Sequence, residues 1–283
     1  MTRIHPVLLA GLLVLGACEK KPEATTPPDP TTGTPDVKPV ELDTSVPQEP
    51  DPAELAQGAQ QYLLGQYPEV VTLLSPIYAD LKERQQYRAS AIAGAWLALA
   101  HAKQVFENGK EPAEWALSMA QSTEDPEVDV AAGLAMGAYQ IGNEEFDPAI
   151  ASLQAALGAK DGVTATLANI LHAEALIGAA FGSGDNETVQ NPAKFDEAKA
   201  AYDAASAKAK GSAAEDLLVG RIEEGYAAIA DYKNDKPGSC PHVIASLTAF
   251  GRAGARGLLE GPAGFARKNK CAVPPELTAT EAP

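Results

Sequence analysis

Between residues 53 and 271, apolar positions recur at steps of three and four, with none of the period-two alternation that strands require. The pattern predicts helices over 53–64, 69–74, 77–106, 113–121, 128–140, 148–157, 164–181, 194–209, 213–233 and 242–250, with a last one running toward 266. Pro76 is expected to separate the second from the third, because an interior proline removes a backbone donor and clashes with the preceding turn. Glycine, proline and asparagine–glycine punctuation recurs at the intervals of helix hairpins. Trp96 and Trp115 read as core residues. The fold class predicted for 53–271 is therefore all-α, built from short antiparallel helices.

The flanks read differently. Arg3 and the apolar run VLLAGLLVL from Val7 to Leu15 form a positive start and a short apolar core, which describes a secretory signal. A spanning helix needs about 20 apolar residues, and no other stretch is expected to cross a bilayer. The segment 18–52 is dominated by proline, threonine and acidic residues. It has too few large apolar groups to offset its ordering entropy, so it reads as a disordered tether, and 272–283 as a disordered tail.

Self-similarity is the most informative signal within the helical region. Phe195, Ala198, Tyr202 and Ala205 place an aromatic, a small, a large and a small residue at offsets of three, four and three. Phe146, Ala149, Leu153 and Ala156 repeat the series, and Tyr67, Val70, Leu74 and Ile77 repeat it with larger fillings. Lys110, Ala113, Leu117 and Ala120 form a degenerate copy. These offsets line one helix face. Glycine-bearing turns precede the copies at Gly65, Gly142 and Gly184, and Gly137 and Gly178 sit where an upstream helix also needs a minimal side chain. The alternative to a true repeat is an irregular bundle whose alanine content mimics the pattern.

On these residues the chain resembles the tetratricopeptide-repeat (TPR) family, whose second helix carries this signature. The resemblance spans roughly 53–233 as four or five repeats. It departs from the family in its uneven spacing, against a usual ~34 residues, and in an apparent insertion at 186–194. It implies a TPR-like α-solenoid of stacked antiparallel hairpins with a curved groove that receives a peptide or partner helix. His101, Tyr139, His172 and Arg221 are the candidate groove residues on that register.

Leu15, Gly16, Ala17 and Cys18 resemble the bacterial lipobox. The resemblance implies cleavage before Cys18, a diacylglycerol thioether on its sulfur, and a stable anchor once two or more acyl chains are attached. Glu19, where an aspartate would signal inner-membrane retention in some lineages, points to the periplasmic face of the outer membrane.

A formal charge of −16, one unit more negative once Arg3 is removed, argues against nucleic acid as a partner. Apart from Cys18, the chain holds Cys240 and Cys271, an even pair in a chain bound for an oxidising compartment. They are expected to form a disulfide, with two buried thiols as the alternative. His101, His172 and His242 show no metal-ligand spacing. Gly182–Asp185 lacks the lysine and hydroxyl of a phosphate loop and reads as a turn, and 185–187 lacks a calcium-loop pattern. Glu144-Glu145 and Glu223-Glu224 read as solvated faces. No catalytic residue, metal or cofactor is expected. The functional expectation is a membrane-tethered scaffold for periplasmic or envelope proteins. The alternative is a capture protein for a small molecule or glycan, held in a pocket between hairpins.

Overall fold

The computed structural model describes residues 37–181, 188–274 and 277. Leu15, Gly16, Ala17 and Cys18, the Gly182–Asp185 turn and eight of the twelve residues of the expected tail lie outside them; of the rest, Val273 and Leu277 pack on the cluster of Val243, Leu247 and Ala266, which corrects the disordered-tail expectation there. Among the described residues the chain is all-helical. The helices are α1 (Ala53–Leu63), α2 (Tyr67–Glu83), α3 (Tyr87–Ala102), α4 (Lys110–Ser122), α5 (Pro126–Gly142), α6 (Phe146–Leu157), α7 (Gly162–Phe181), α8 (Lys194–Ala209), α9 (Glu215–Tyr232), α10 (Lys236–Ala253) and α11 (Glu260–Asn269), with 3-10 turns at Phe106–Gly109 and Arg256–Leu258.

Each helix packs on the next. Each odd-numbered helix from α1 to α7 also packs on the following odd-numbered one, so hairpins lie side by side with an odd-numbered inner row. The inner helices are correspondingly apolar almost all round: α3, α5 and α7 are rich in alanine, and most of their residues are buried. α7 is long and apolar enough to span a membrane by length and composition, which corrects the expectation that no second stretch qualifies. It is nevertheless mostly buried against its neighbours, and it carries Glu174.

The quartets form the contacts between rows. Val70, Leu74, Ala149, Leu153, Ala156, Phe195, Ala198, Tyr202 and Ala205 are buried, and Tyr67, Ile77 and Phe146 pack half-buried on the same core. A β-carbon on Gly178 of α7 would overlap the Phe146 ring of α6, and one on Gly225 of α9 would overlap Tyr202 of α8. The large side chain of one hairpin therefore seats on a glycine of the next. Gly137 does the same for Leu153 within one hairpin. Phe195 stacks on Tyr232, centroids 5.7 Å apart, and both meet Phe181. The degenerate copy is out of register: α4 buries Ala113, Ala116 and Met119, while Leu117 and Ala120 are half-buried.

The α2–α3 boundary differs from expectation, and α10 starts at Lys236 and runs through Pro241 where a helix over 242–250 is expected. α2 runs through Pro76, because the Thr72 carbonyl that the proline cannot serve is on the exposed face. The break falls instead at Gln85, in the left-handed region at φ 56°. Gly65, Glu144 and Asn234 occupy the same conformation. In all four turns the next N–H donates to a carbonyl five residues back, Gln66 to Gln61, Gln86 to Leu81, Glu145 to Gln140 and Asp235 to Ala230. This is the Schellman-type cap that closes a helix on a left-handed residue.

The array curls until its ends meet. Arg221 of α9 donates to the Tyr62 carbonyl and to Tyr67 Oη, both at 3.1 Å. Leu258 packs over Gly65, a position fixed as glycine by its φ of 77° and by lack of room.

Candidate functional site

The four candidate groove residues do not converge. His172 faces Lys194 and Glu197 of α8; burial, then the Lys194 charge, hold its imidazole below the ordinary value. His101 adjoins Gly109 and is likewise lowered by burial. Tyr139 packs against the alanine cluster shared by α3, α4 and α5. Of the four, Arg221 alone reaches the inner face where the ends of the array meet. Gly178, which sets that register, faces Phe146 of the preceding hairpin, and His172 faces α8 instead of the inner row.

The inner face holds a different set. Lys103, which caps the C-terminus of α3, pairs with Glu174 of α7 at 3.2 Å. The Arg221 guanidinium lies 5.2 Å from the Tyr62 ring centroid, and Tyr62 packs against Tyr67 and Trp96. The Arg221 Nε and Gln61 Oε1 are buried without a hydrogen-bond partner. Burial is the largest influence on Lys103 and opposes its charge, but Glu174, Tyr62 and Tyr67 together outweigh it and the ammonium is held above its ordinary value. Burial likewise opposes charge on Arg221, which Tyr67 and Tyr62 offset. Glu224, also on α9, is pushed up to about 7 by burial, with Arg221 and Lys103 pulling the other way. The solvated-face expectation for Glu223-Glu224 is therefore corrected: Glu224 sits in this cluster, and Glu223 meets His242 Nδ1 at 2.6 Å. Glu174 is the sole Asp, Glu, Lys or Arg of α7, and that isolation is the sequence signal that could have found it.

A second site lies on the edge formed by the α2–α3 and α4–α5 connections. Residues 37–52, expected to belong to a disordered tether, cross it without regular secondary structure. The Lys38 carbonyl accepts from Ser118 Oγ, the Asp43 N–H donates to Tyr87 Oη at 2.8 Å, and the Glu49 N–H donates to Gln86 Oε1 at 2.7 Å. Gln86 Nε2 donates to the Pro47 carbonyl, and Gln48 is bound to the backbone of Gln85 and Tyr87. Val40 and Leu42 pack on Tyr87, Met119 and Val128. Arg88 gathers Asp51, Asp125 and Glu127, and Arg84 takes Glu49 and Asp80. Asp125 also caps α5 by accepting the Glu127 N–H. The tether reading weighed composition alone, and these contacts are long-range side-chain bonds that composition does not register.

Cys240 and Cys271 are joined, with Cα atoms 5.3 Å apart, tying the second turn of α10 to the chain just beyond α11. Among the described residues no group of three or more His, Cys, Asp and Glu is placed to hold a metal. A shallow depression of about 290 Å³ lies between α4, α5 and α6, lined by Leu117, Ala120, Met136 and Ser152. The chain matches no family model, no curated protein and no solved structure.

Proposed function

We propose that the protein is a membrane-tethered scaffold of tetratricopeptide type, holding periplasmic or envelope proteins against the outer membrane through its stacked hairpins. The observation that carries the reading is the repeated nesting of a quartet side chain into a glycine of the neighbouring helix, Phe146 on Gly178 and Tyr202 on Gly225. Hairpins that bury one another in series leave extended edges and faces for partners. The lipobox-like Leu15-Gly16-Ala17-Cys18 supplies the tether, and a disulfide between Cys240 and Cys271 suits an oxidising compartment. Because Arg221 and Leu258 bring the ends of the array together, partners dock on its edges and outer face in this reading, rather than in an open inner groove.

A second reading, capture of a small molecule, is favoured by the inner cluster of Tyr62, Trp96, Arg221, Lys103, Glu174 and Glu224. One experiment separates the two. A photo-crosslinking residue is placed in cells at Gln154, exposed on α6 of the outer row, or at Trp96, beside Tyr62 in the inner cluster. Reproducible protein adducts at 154 support the scaffold; none there, together with a metabolite retained by the purified chain and lost in Arg221→Ala, supports capture. Membrane fractionation of Cys18→Ser tests the anchor, and an unchanged distribution removes it.

A further inference from the structure

The segment on the α2–α3/α4–α5 edge is held lightly for something so specifically bound. Val37, Val40, Leu42 and Val46 are half-buried, and every other residue from Lys38 to Asp51 is exposed. Its fixation comes from side chains of the helical array that bind its backbone: Ser118, Tyr87 and Gln86. Arg84 and Arg88 meet its acidic end at Glu49 and Asp51. Backbone bonds of this kind accept any extended chain, whereas the apolar seat and the two arginines select for residue type.

We infer that this edge is a docking site for an extended, proline-punctuated acidic peptide of an envelope partner, and that residues 38–51 occupy it in cis as a displaceable strap. The inference rests on the scaffold reading and names the surface and the partner chemistry. The occupant defines that chemistry: two apolar residues at alternate positions for the seat on Tyr87, Met119 and Val128, then carboxylates for Arg84 and Arg88. Because the strap is joined to α1, its effective concentration is high. A free peptide therefore competes poorly until the strap is weakened or the partner is itself held nearby.

The test uses the full chain in detergent and a fluorescein-labelled peptide with the sequence of residues 37–52. One variant replaces residues 38–49 with a Gly–Ser run of equal length; a second, Leu42→Ser, guards against misfolding of the first. Fluorescence anisotropy is expected to show binding about tenfold or more tighter to either variant than to wild type. Adding Tyr87→Phe with Gln86→Ala to the Gly–Ser chain is expected to reverse that gain. Equal binding by wild type and strap variants, or binding indifferent to Tyr87 and Gln86, would overturn the inference. So would no binding by the folded Gly–Ser chain. A wild-type chain that dimerises at these concentrations would assign the edge to a second copy and overturn it as well. Peptide binding in solution reports on the edge alone and crosslinking in cells on the scaffold, so either can fail without the other.

Discussion

Glu224→Gln is the sharpest test of the inner cluster. The carboxyl is pushed up to about 7 from 4.5, with burial the largest cause. In the unfolded chain the group ionises near its ordinary value, so between those two pH values the native state retains a proton that the unfolded state releases. Stability from this group is therefore fully present below about 4.5 and is lost as pH rises through about 7. At about 1.4 kcal/mol per pH unit the loss is bounded near 3 kcal/mol, and partial solvent access to the side chain reduces it to about 2 kcal/mol. Glutamine keeps the shape and cannot ionise. Urea unfolding at pH 4 and pH 8 should find the two chains alike at pH 4, and the variant more stable by about 2 kcal/mol at pH 8. His101 and His172, lowered by burial, contribute slopes of opposite sign over a neighbouring range, but both are present in each chain and cancel in the difference. A variant equal to or weaker than wild type at pH 8 would refute the reasoning, since the ionised carboxylate would then be compensated by Arg221 and Lys103.

Four further outcomes follow from the packing. Gly178→Ala drives a methyl into the Phe146 ring and should cost about 2–3 kcal/mol; Phe146→Leu in the same chain should recover part of that, giving a non-additive double-mutant cycle. Glu144→Gly relieves a left-handed residue at φ 59° and should raise stability by about 0.5–1 kcal/mol in urea unfolding. Arg88→Ala severs the strap from α3 and the α4–α5 turn, with an expected cost of about 1–2 kcal/mol and faster amide exchange across 43–49. Cys240→Ser with Cys271→Ser removes a crosslink worth at most about 3–4 kcal/mol in the chain-entropy model, so proteolysis should cut first within 254–271.

The helices and their nesting were legible because they depend on local periodicity. Phe195, Ala198, Tyr202 and Ala205 share a face whatever lies around them, and all four are buried. The α2–α3 boundary was not legible. Proline carries a strong local rule, but whether it breaks a helix depends on where its orphaned carbonyl points, and Thr72 faces solvent. The true turn rests on Gln85, which has no sequence mark for left-handed geometry, while Gly65 in the equivalent turn does. The inner cluster was hidden for a different reason. Lys103, Glu174 and Arg221 lie on three hairpins, and the contact of Arg221 with Tyr62 spans 159 residues. Only the curvature of the array brings them together, and curvature accumulates from small rotations that no single repeat encodes.

The seat of Lys38 against Ser118 also sets a distance. With an acyl anchor on Cys18, the chain from that sulfur to Lys38 reaches at most about 70 Å, whereas measured to the start of α1 at Ala53 it reaches at most about 120 Å. Displacing the strap would thus let the domain stand roughly 50 Å farther from the bilayer. Occupancy of one edge would govern how deep into the surrounding space the domain can work.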